Sequence, residues 1–211
     1  MKKMLAMLLA LVMVLSLAAC ASTQPAAEPA ASSDAPAESG KTYTVGVCQL
    51  VQHEALDAAT QGFVDALKEA LGDAVTIDVQ NASGDSVNCG TIVNGFVAKG
   101  VDLIMANATP ALTAAVSATA DIPILGTSIT AYGVALDIDD FNGTVGGNVS
   151  GTSDLADLQK QAQMILDWFP ETKTVGLLFC SAEPNSRYQI DEVRKALEAQ
   201  GVTCEEFAFT D

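Results

Sequence analysis

From residue 42 onward, short apolar runs alternate with helix-spaced segments, and that alternation limits the fold more than any other feature. Residues 42–50 read TYTVGVCQL, a β-branched and apolar run. Across 54–71, Leu56, Ala59, Phe63, Leu67 and Ala70 recur at helical spacing on one face. AVTIDVQ (74–80) predicts a second strand, and 86–99 a second helix stopped by Gly100. VDLIMA (101–106) predicts a third strand. Thr109 and Pro110 then open a third helix, with Thr suited to the N-cap and Pro to the first turn. IPILGT (122–127) predicts a fourth strand. Strands that alternate with helices form a parallel sheet, and right-handed crossovers place helices on both of its faces.

The rhythm breaks between 130 and 154, where glycines stand at 133, 143, 146, 147 and 151. The pattern there predicts a short strand near 133–138, then a connecting loop. Helical spacing returns with Leu155, Leu158, Ala162, Ile165 and Phe169, closed by Pro170. KTVGLLFC (173–180) predicts a strand, 185–200 a helix with Ile190, Val193 and Leu197 inward, and VTCEEFAF (202–209) another strand. An irregular glycine-rich link between two α/β segments reads as an interdomain crossing. The expected division is a first lobe at 41–138, a crossing at 139–154 and a second lobe at 155–211. Two strands are fewer than the roughly five or six of a typical sheet. The second lobe therefore reads as incomplete and the sequence as a piece of a longer chain. One continuous sheet through both segments is the alternative.

Residues 1–19 carry Lys2 and Lys3, an apolar stretch from Met4 to Leu15 and a small-residue exit at Ala18-Ala19. That is the layout of a secretory signal peptide. The apolar part is short for a membrane span, which takes about 20 residues. Leu-Ala-Ala-Cys (17–20) also resembles the bacterial lipobox, which implies cleavage before Cys20 and a lipid on its sulfur. Residues 20–40 hold three prolines, many alanines and serines and no large apolar side chain. Such a segment cannot bury a core and is expected to be a disordered tether.

The formal net charge is −16. Without residues 1–19, 8 bases face 26 acids. This excess argues against nucleic acid, which needs a basic patch, and against adhesion to anionic lipid by charge. Solubility of an exported domain accounts for it. Past the tether, Cys48, Cys89, Cys180 and Cys204 form no CxxC and no metal-ligand spacing. Buried free thiols are the favoured reading, although export permits disulfides.

In open parallel sheets, ligands bind at the carboxyl ends of the strands. Those ends here carry Gln49 to His53, Asn81 to Asp85, Asn107 to Thr109, Thr127 to Thr130 and Ser181 to Ser186. They are rich in amides and hydroxyls and poor in acid–base groups. Helix N-termini gather there too, and their free N–H groups suit a carboxylate. This suits capture of a small polar solute better than catalysis. His53 is the only histidine, and no GxSxG, Walker or GxGxxG pattern stands near it. A hydrogen-bonding or helix-start role outweighs a catalytic one. Asp57, one turn on, either holds that histidine or complements the helix dipole. Asp154 either caps the 155–169 helix or faces the cleft and accepts bonds from a ligand ammonium. Ser186 and Gln189 have capping-box spacing; the functional reading is that Asn185 and Ser186 meet a ligand carboxylate. No metal or cofactor is implied. The Asn-X-Ser/Thr sequences at 81, 107, 142 and 148 are read as chance.

VCQLVQHEALDAATQGFVDAL, MANATPALTAA, GNVSGTSD and KTVGLLFCSAEPNSRYQ together resemble the ABC-transporter substrate-binding proteins of the tryptophan/tyrosine-binding kind. The likeness runs from about residue 44 to the end. It implies a type I periplasmic-binding-protein fold, with two α/β lobes, a hinge of crossing segments and a cleft that closes on its ligand. It also implies an amino-acid ligand, with aromatic ones favoured, an ABC permease as partner, and cleft roles for the His53, Thr109, Thr130, Asp154 and Asn185-Ser186 segments. One departure follows Thr130. The family often has Asp there, whereas here Ala131-Tyr132 follow, and Tyr132 offers a stacking face. Two other readings stay open: a receptor of the same fold that signals to a membrane sensor, and a surface-anchored α/β enzyme acting on small polar molecules.

Overall fold

A computed structural model describes residues 40–210. The expected signal peptide 1–19, the lipidation site Cys20 and all of the tether but Gly40 lie outside the described residues. The elements run β1 (Tyr43–Gln49), α1 (Glu54–Leu71), a 3-10 turn (Gly72–Ala74), β2 (Val75–Asn81), α2 (Ser86–Lys99), β3 (Leu103–Asn107), α3 (Thr109–Ala118) and β4 (Ile124–Ile129). They continue with α4 (Tyr132–Ala135), β5 (Val149–Ser153), α5 (Leu158–Trp168), β6 (Thr174–Cys180), α6 (Pro184–Glu198) and β7 (Thr203–Phe209).

The first sheet has the order β2-β1-β3-β4-β5, with every pair parallel. The chain steps from β1 to β2 in one direction, then back across β1 to β3, β4 and β5 in the other. Right-handed crossovers therefore put α1 on one face and α2 and α3 on the other. Cys89, Val93 and Phe96 of α2 and Ala111, Leu112 and Ala115 of α3 close one core cluster with Cys48, Ile104, Ala106 and Ile124 of the sheet. Burying a leucine such as Leu112 contributes about 1.5–3 kcal/mol, and Leu112 is fully buried. Gly100 ends α2 at φ 65°, where its N–H returns to Phe96 and Val97 carbonyls. That is a left-handed stop which glycine adopts without strain.

Two expectations are corrected. The strand predicted near 133–138 is a single helical turn, α4, and the crossing expected at 139–154 contains β5, the fifth strand of the first sheet. The glycines that hid β5 are what let it pair. Gly126 and Gly151 face each other across β4 and β5. A Cβ on Gly151 would lie only 2.1 Å from the Gly126 carbonyl oxygen. Over this pair the Tyr132 hydroxyl donates to the carbonyls of Gly126 (3.1 Å) and Thr152 (3.3 Å).

The second sheet pairs β6 with β7, again parallel. One face packs against α5 and α6 through Ala162, Leu197 and Val202, with Val175 and Cys204 alongside. On the other face Leu178, Phe207 and Phe209 remain 71%, 53% and 45% exposed. Arg187 of α6 ties the helix down: it bonds Asp191 and Glu206, and its guanidinium lies 4.7 Å from the Phe179 ring centre.

Candidate functional site

The strand order of the first sheet reverses at β1, so the connections leaving β1 and β3 diverge and open a crevice between them. At the β1 end, Gln49 is buried and fully engaged. Its amide donates to the Val51 carbonyl at 2.8 Å and to Asp57 Oδ1 at 2.5 Å, and its Oε1 accepts from Thr60 Oγ1 at 2.6 Å. Gln49 and Asp57, both candidate ligand contacts, therefore bond each other. Asp57 holds Gln49 instead of His53. His53 starts α1: its Nδ1 accepts from the Ala55 N–H at 3.2 Å. The helix-start reading is the one realised.

The β3 end is different in kind. Asn107 is fully buried, and its amide nitrogen donates to the Leu56 carbonyl at 2.8 Å and Thr60 Oγ1 at 2.9 Å. Ala108 follows at φ 91°, ψ 157°, a region that belongs to glycine and marks stored strain. Ala108, not Thr109, is the N-cap of α3, which corrects the expected start. Thr109 is 2% exposed, and its hydroxyl has no hydrogen-bond partner. Pro110 contributes no N–H, and no side chain caps α3. By contrast α1, α2 and α5 are capped by His53, Asp85 and Asp157. The first turn of α3 thus holds a buried hydroxyl and uncommitted N–H groups, with no acid nearby in its own first turn. That is the make-up of a carboxylate site. Thr127 lies beside it in register with Asn107, and its carbonyl accepts the Ala108 N–H at 3.0 Å. Ser128, next along, also takes a positive φ of 56°.

Past β4, Thr130 is buried, and its carbonyl accepts from Ser153 Oγ at 3.0 Å. Asp154 does not cap α5; Asp157 does, through the Lys160 N–H at 3.0 Å. The Asp154 charge instead acts on the phenol of Tyr132. Burial first, and then this carboxylate, push the phenol up to about 12. Tyr132 is itself buried with its hydroxyl spent on two carbonyls, so it is a strut beneath β4 and β5.

On the second lobe, α6 starts at Pro184 with Glu183 as N-cap, so the expected Ser186–Gln189 capping box is not formed. Asn185 Nδ2 and Ser186 Oγ reach back to Glu183 Oε2 at 3.5 and 3.4 Å, while Asn185 Oδ1 is buried without a partner. A carboxylate already stands at this helix end, so its polarity suits an ammonium better than a second carboxylate. One turn on, Tyr188 meets the first lobe. With Thr130, Tyr132, Ile138, Phe141 and Leu155 it lines a cavity of about 360 Å³.

Thr109 falls in the first turn of α3, Thr127 in β4, Thr130 just past it, and Asn185 and Ser186 in the first turn of α6, while Asp154 follows β5 and stands apart from the start of α5. Asn107 and Glu183 lie inside the strand-end segments named from the sequence but carried no separate role there, and Tyr188 lies outside them; no local pattern marks it.

Two wound α/β segments, joined by a glycine-rich crossing and with polar strand ends, define the type I periplasmic-binding-protein fold. Residues 44–211 match the family model described as ABC transporter substrate binding protein, and the chain belongs to that family. A curated relative, the tyrosine-binding protein of Clostridioides difficile (strain R20291), is 37% identical over 162 residues, which cover 74% of this chain and 46% of that one. Among solved structures, an ABC domain from Streptococcus pneumoniae in complex with L-Trp aligns with a TM-score of 0.74 at 37% identity, over 80% of this chain and 58% of that one. The ligand-free, open structure of a substrate-binding protein with adhesive properties from Clostridium difficile aligns at 0.59 and 36% identity, over 81% and 58%. The chain thus spans about half the length of these relatives.

Proposed function

We propose that this chain is the substrate-binding part of an ABC importer, held outside the cytoplasm by a lipid on Cys20, and that it captures an amino acid between its lobes. Aromatic amino acids are favoured, in keeping with the tyrosine and tryptophan named for its relatives. The ligand carboxylate sits at the first turn of α3, on the Thr109 hydroxyl and the adjacent N–H groups. The ammonium faces Glu183 and Asn185 Oδ1 from the second lobe, with Asp154 near the crossing. His53 and Thr130 border the entrance. Closure follows because the two charged ends of one ligand are bound by different lobes. Contacts made only when the lobes meet favour the closed state. A permease in the membrane then receives the ligand. Catalysis has no part in this reading.

The observation that carries it is the buried Thr109 hydroxyl, left without a partner at the start of an uncapped helix. Calorimetric titration of the whole protein with L-Trp, L-Tyr and L-Phe, alongside tryptamine and L-tryptophanamide, is the test. Saturable binding of at least one amino acid is expected. Losing the carboxylate removes charge-assisted bonds of about 1.5–3 kcal/mol, so affinity should fall roughly 10- to 100-fold. Absence of saturation with every amino acid, or equal affinity for tryptamine and L-Trp, would overturn it.

A further inference from the structure

The Ala108 turn is strained, so something must hold it. An alanine stays at φ 91°, ψ 157° only when its surroundings over-determine it. The Ala108 N–H donates to the Thr127 carbonyl at 3.0 Å, and its own carbonyl accepts from the Leu112 N–H at 3.1 Å. The residue before it is gripped from the other face of the sheet. Asn107 Nδ2 reaches Leu56 O and Thr60 Oγ1 on α1, at 2.8 and 2.9 Å. Its carbonyl accepts from the Leu50 N–H at 3.2 Å. Thr60 passes its own proton to Gln49 Oε1 at 2.6 Å, and Gln49 gives one to Asp57 at 2.5 Å. The chain has a single direction: Asn107 donates to Thr60, Thr60 to Gln49, and Gln49 to the carboxylate. Gln49, Thr60 and Asn107 are all buried; Asn107 Oδ1 has no partner, but every donor along the chain is used, and buried hydrogen bonds of this kind restrain their surroundings.

We propose that Asn107, Thr60, Gln49 and Asp57 form a positioning clamp, built on the α1 face of the sheet, that holds the strained Ala108 turn and so aims the Thr109 hydroxyl and the first free N–H groups of α3. Thr60 is its central residue, because it alone bonds both amides. The clamp also explains why Gln49 and Asp57 point at each other: they act on the ligand site through Asn107. Only the binding arm of the test rests on the amino-acid reading above.

If the clamp exists to hold strain, removing the strain makes it dispensable. Glycine is at ease at φ 91°, so Ala108→Gly should raise the unfolding midpoint, by about 3 °C. Thr60→Val keeps shape but breaks the chain, and should lower the midpoint by about 5 °C. In the Ala108→Gly background the same change should lose less than half as much. Thr60→Ser, which keeps the hydroxyl, should match the unaltered protein. In titrations with L-Trp, Thr60→Val should weaken affinity about tenfold, and Ala108→Gly should restore it to within about threefold. Equal midpoint losses in both backgrounds would overturn the clamp, as would a midpoint lowered by Ala108→Gly alone. The second result can be read even if Thr60→Val does not fold. If the unaltered protein binds no amino acid, the functional reading fails, and the unfolding cycle still decides the clamp.

Discussion

Alanine at Gly126 and alanine at Gly151 should both destabilise the first lobe, but only one of them should be rescued by Tyr132→Phe. A Cβ on Gly126 would lie 2.4 Å from the Tyr132 hydroxyl, and then 3.0 Å from Ile129 Cγ1 and 3.2 Å from Tyr132 Cζ. The obstacle is one oxygen at the end of a ring. To clear it the ring moves and gives up its bonds to the Gly126 and Thr152 carbonyls. Overpacking plus the lost bonds come to about 3 kcal/mol. Tyr132→Phe alone should cost about 1.5 kcal/mol. The Gly126→Ala/Tyr132→Phe pair should cost about 2 kcal/mol instead of the additive sum, because the phenylalanine no longer blocks the methyl. At Gly151 the Tyr132 hydroxyl is also close, at 2.3 Å, but the Gly126 carbonyl oxygen at 2.1 Å and the Gly126 nitrogen at 2.7 Å stand in the way whatever the ring does, with φ at 150°. A main-chain atom cannot rotate away, so β4 and β5 must part. That should cost about 4 kcal/mol or more, and Tyr132→Phe should recover less than about 1 kcal/mol of it. Urea unfolding of the five variants and the unaltered protein, followed by far-ultraviolet circular dichroism, measures each value. Equal rescue at both glycines, or rescue at neither, would refute the close-approach explanation of β5.

Other predictions concern titration, thiols and the anchor. Tyr132 ionises at about 12 in the fold against 10.0 ordinarily, so the folded state binds its proton more tightly. Its contribution is whole below pH 10, fades as pH rises towards 12, and Tyr132→Phe should flatten that alkaline loss in pH-dependent unfolding. The Asp78 carboxyl is held below its ordinary 3.8 by a hydrogen bond from Lys99. The pair therefore contributes fully above pH 3.8 and less as pH falls below it, so the small penalty of Lys99→Met should shrink in acid unfolding series. Cys48 and Cys89 are buried, and Cys180 and Cys204 partly exposed. Iodoacetamide at pH 8 should label the latter pair first in the native protein, with all four reacting in urea, as read by mass spectrometry. Cys20→Ser should abolish incorporation of labelled fatty acid and release the protein from the membrane fraction.

The sheet-and-helix order was legible because β1, β3 and β4 lie inside the sheet and read as largely apolar runs, while β2, at its edge, alternates apolar and polar residues. β5 lacks that signature. Only Val149 of its five residues is buried, and two facing glycines make the pairing possible where bulk would forbid it. Gly133-Val134-Ala135-Leu136, by contrast, is apolar enough to pass for a strand and folds as α4. The polar strand ends were legible as a region. Their division of labour was not, because it depends on distance. Nothing local to Gln49 and Asp57 says that their side chains meet, and nothing local to Asn107 says that α1 supplies its partners. Caps were misplaced at Asp154 and Ser186 for a similar reason: each has a competitor three residues away, Asp157 and Glu183, and only the path of the chain chooses between them.

The bare first turn of α3 has a consequence for how occupancy is felt. A helix that lacks its own end group borrows one, and a carboxylate seated there would serve as that removable part. The empty protein would then have a frayed α3, with Thr109 and Ala111 amides exchanging hydrogen quickly, and the loaded protein a finished one. On the importer reading proposed above, a permease touching only the first lobe would tell loaded from empty by the stiffness of that helix, without meeting the cargo at all.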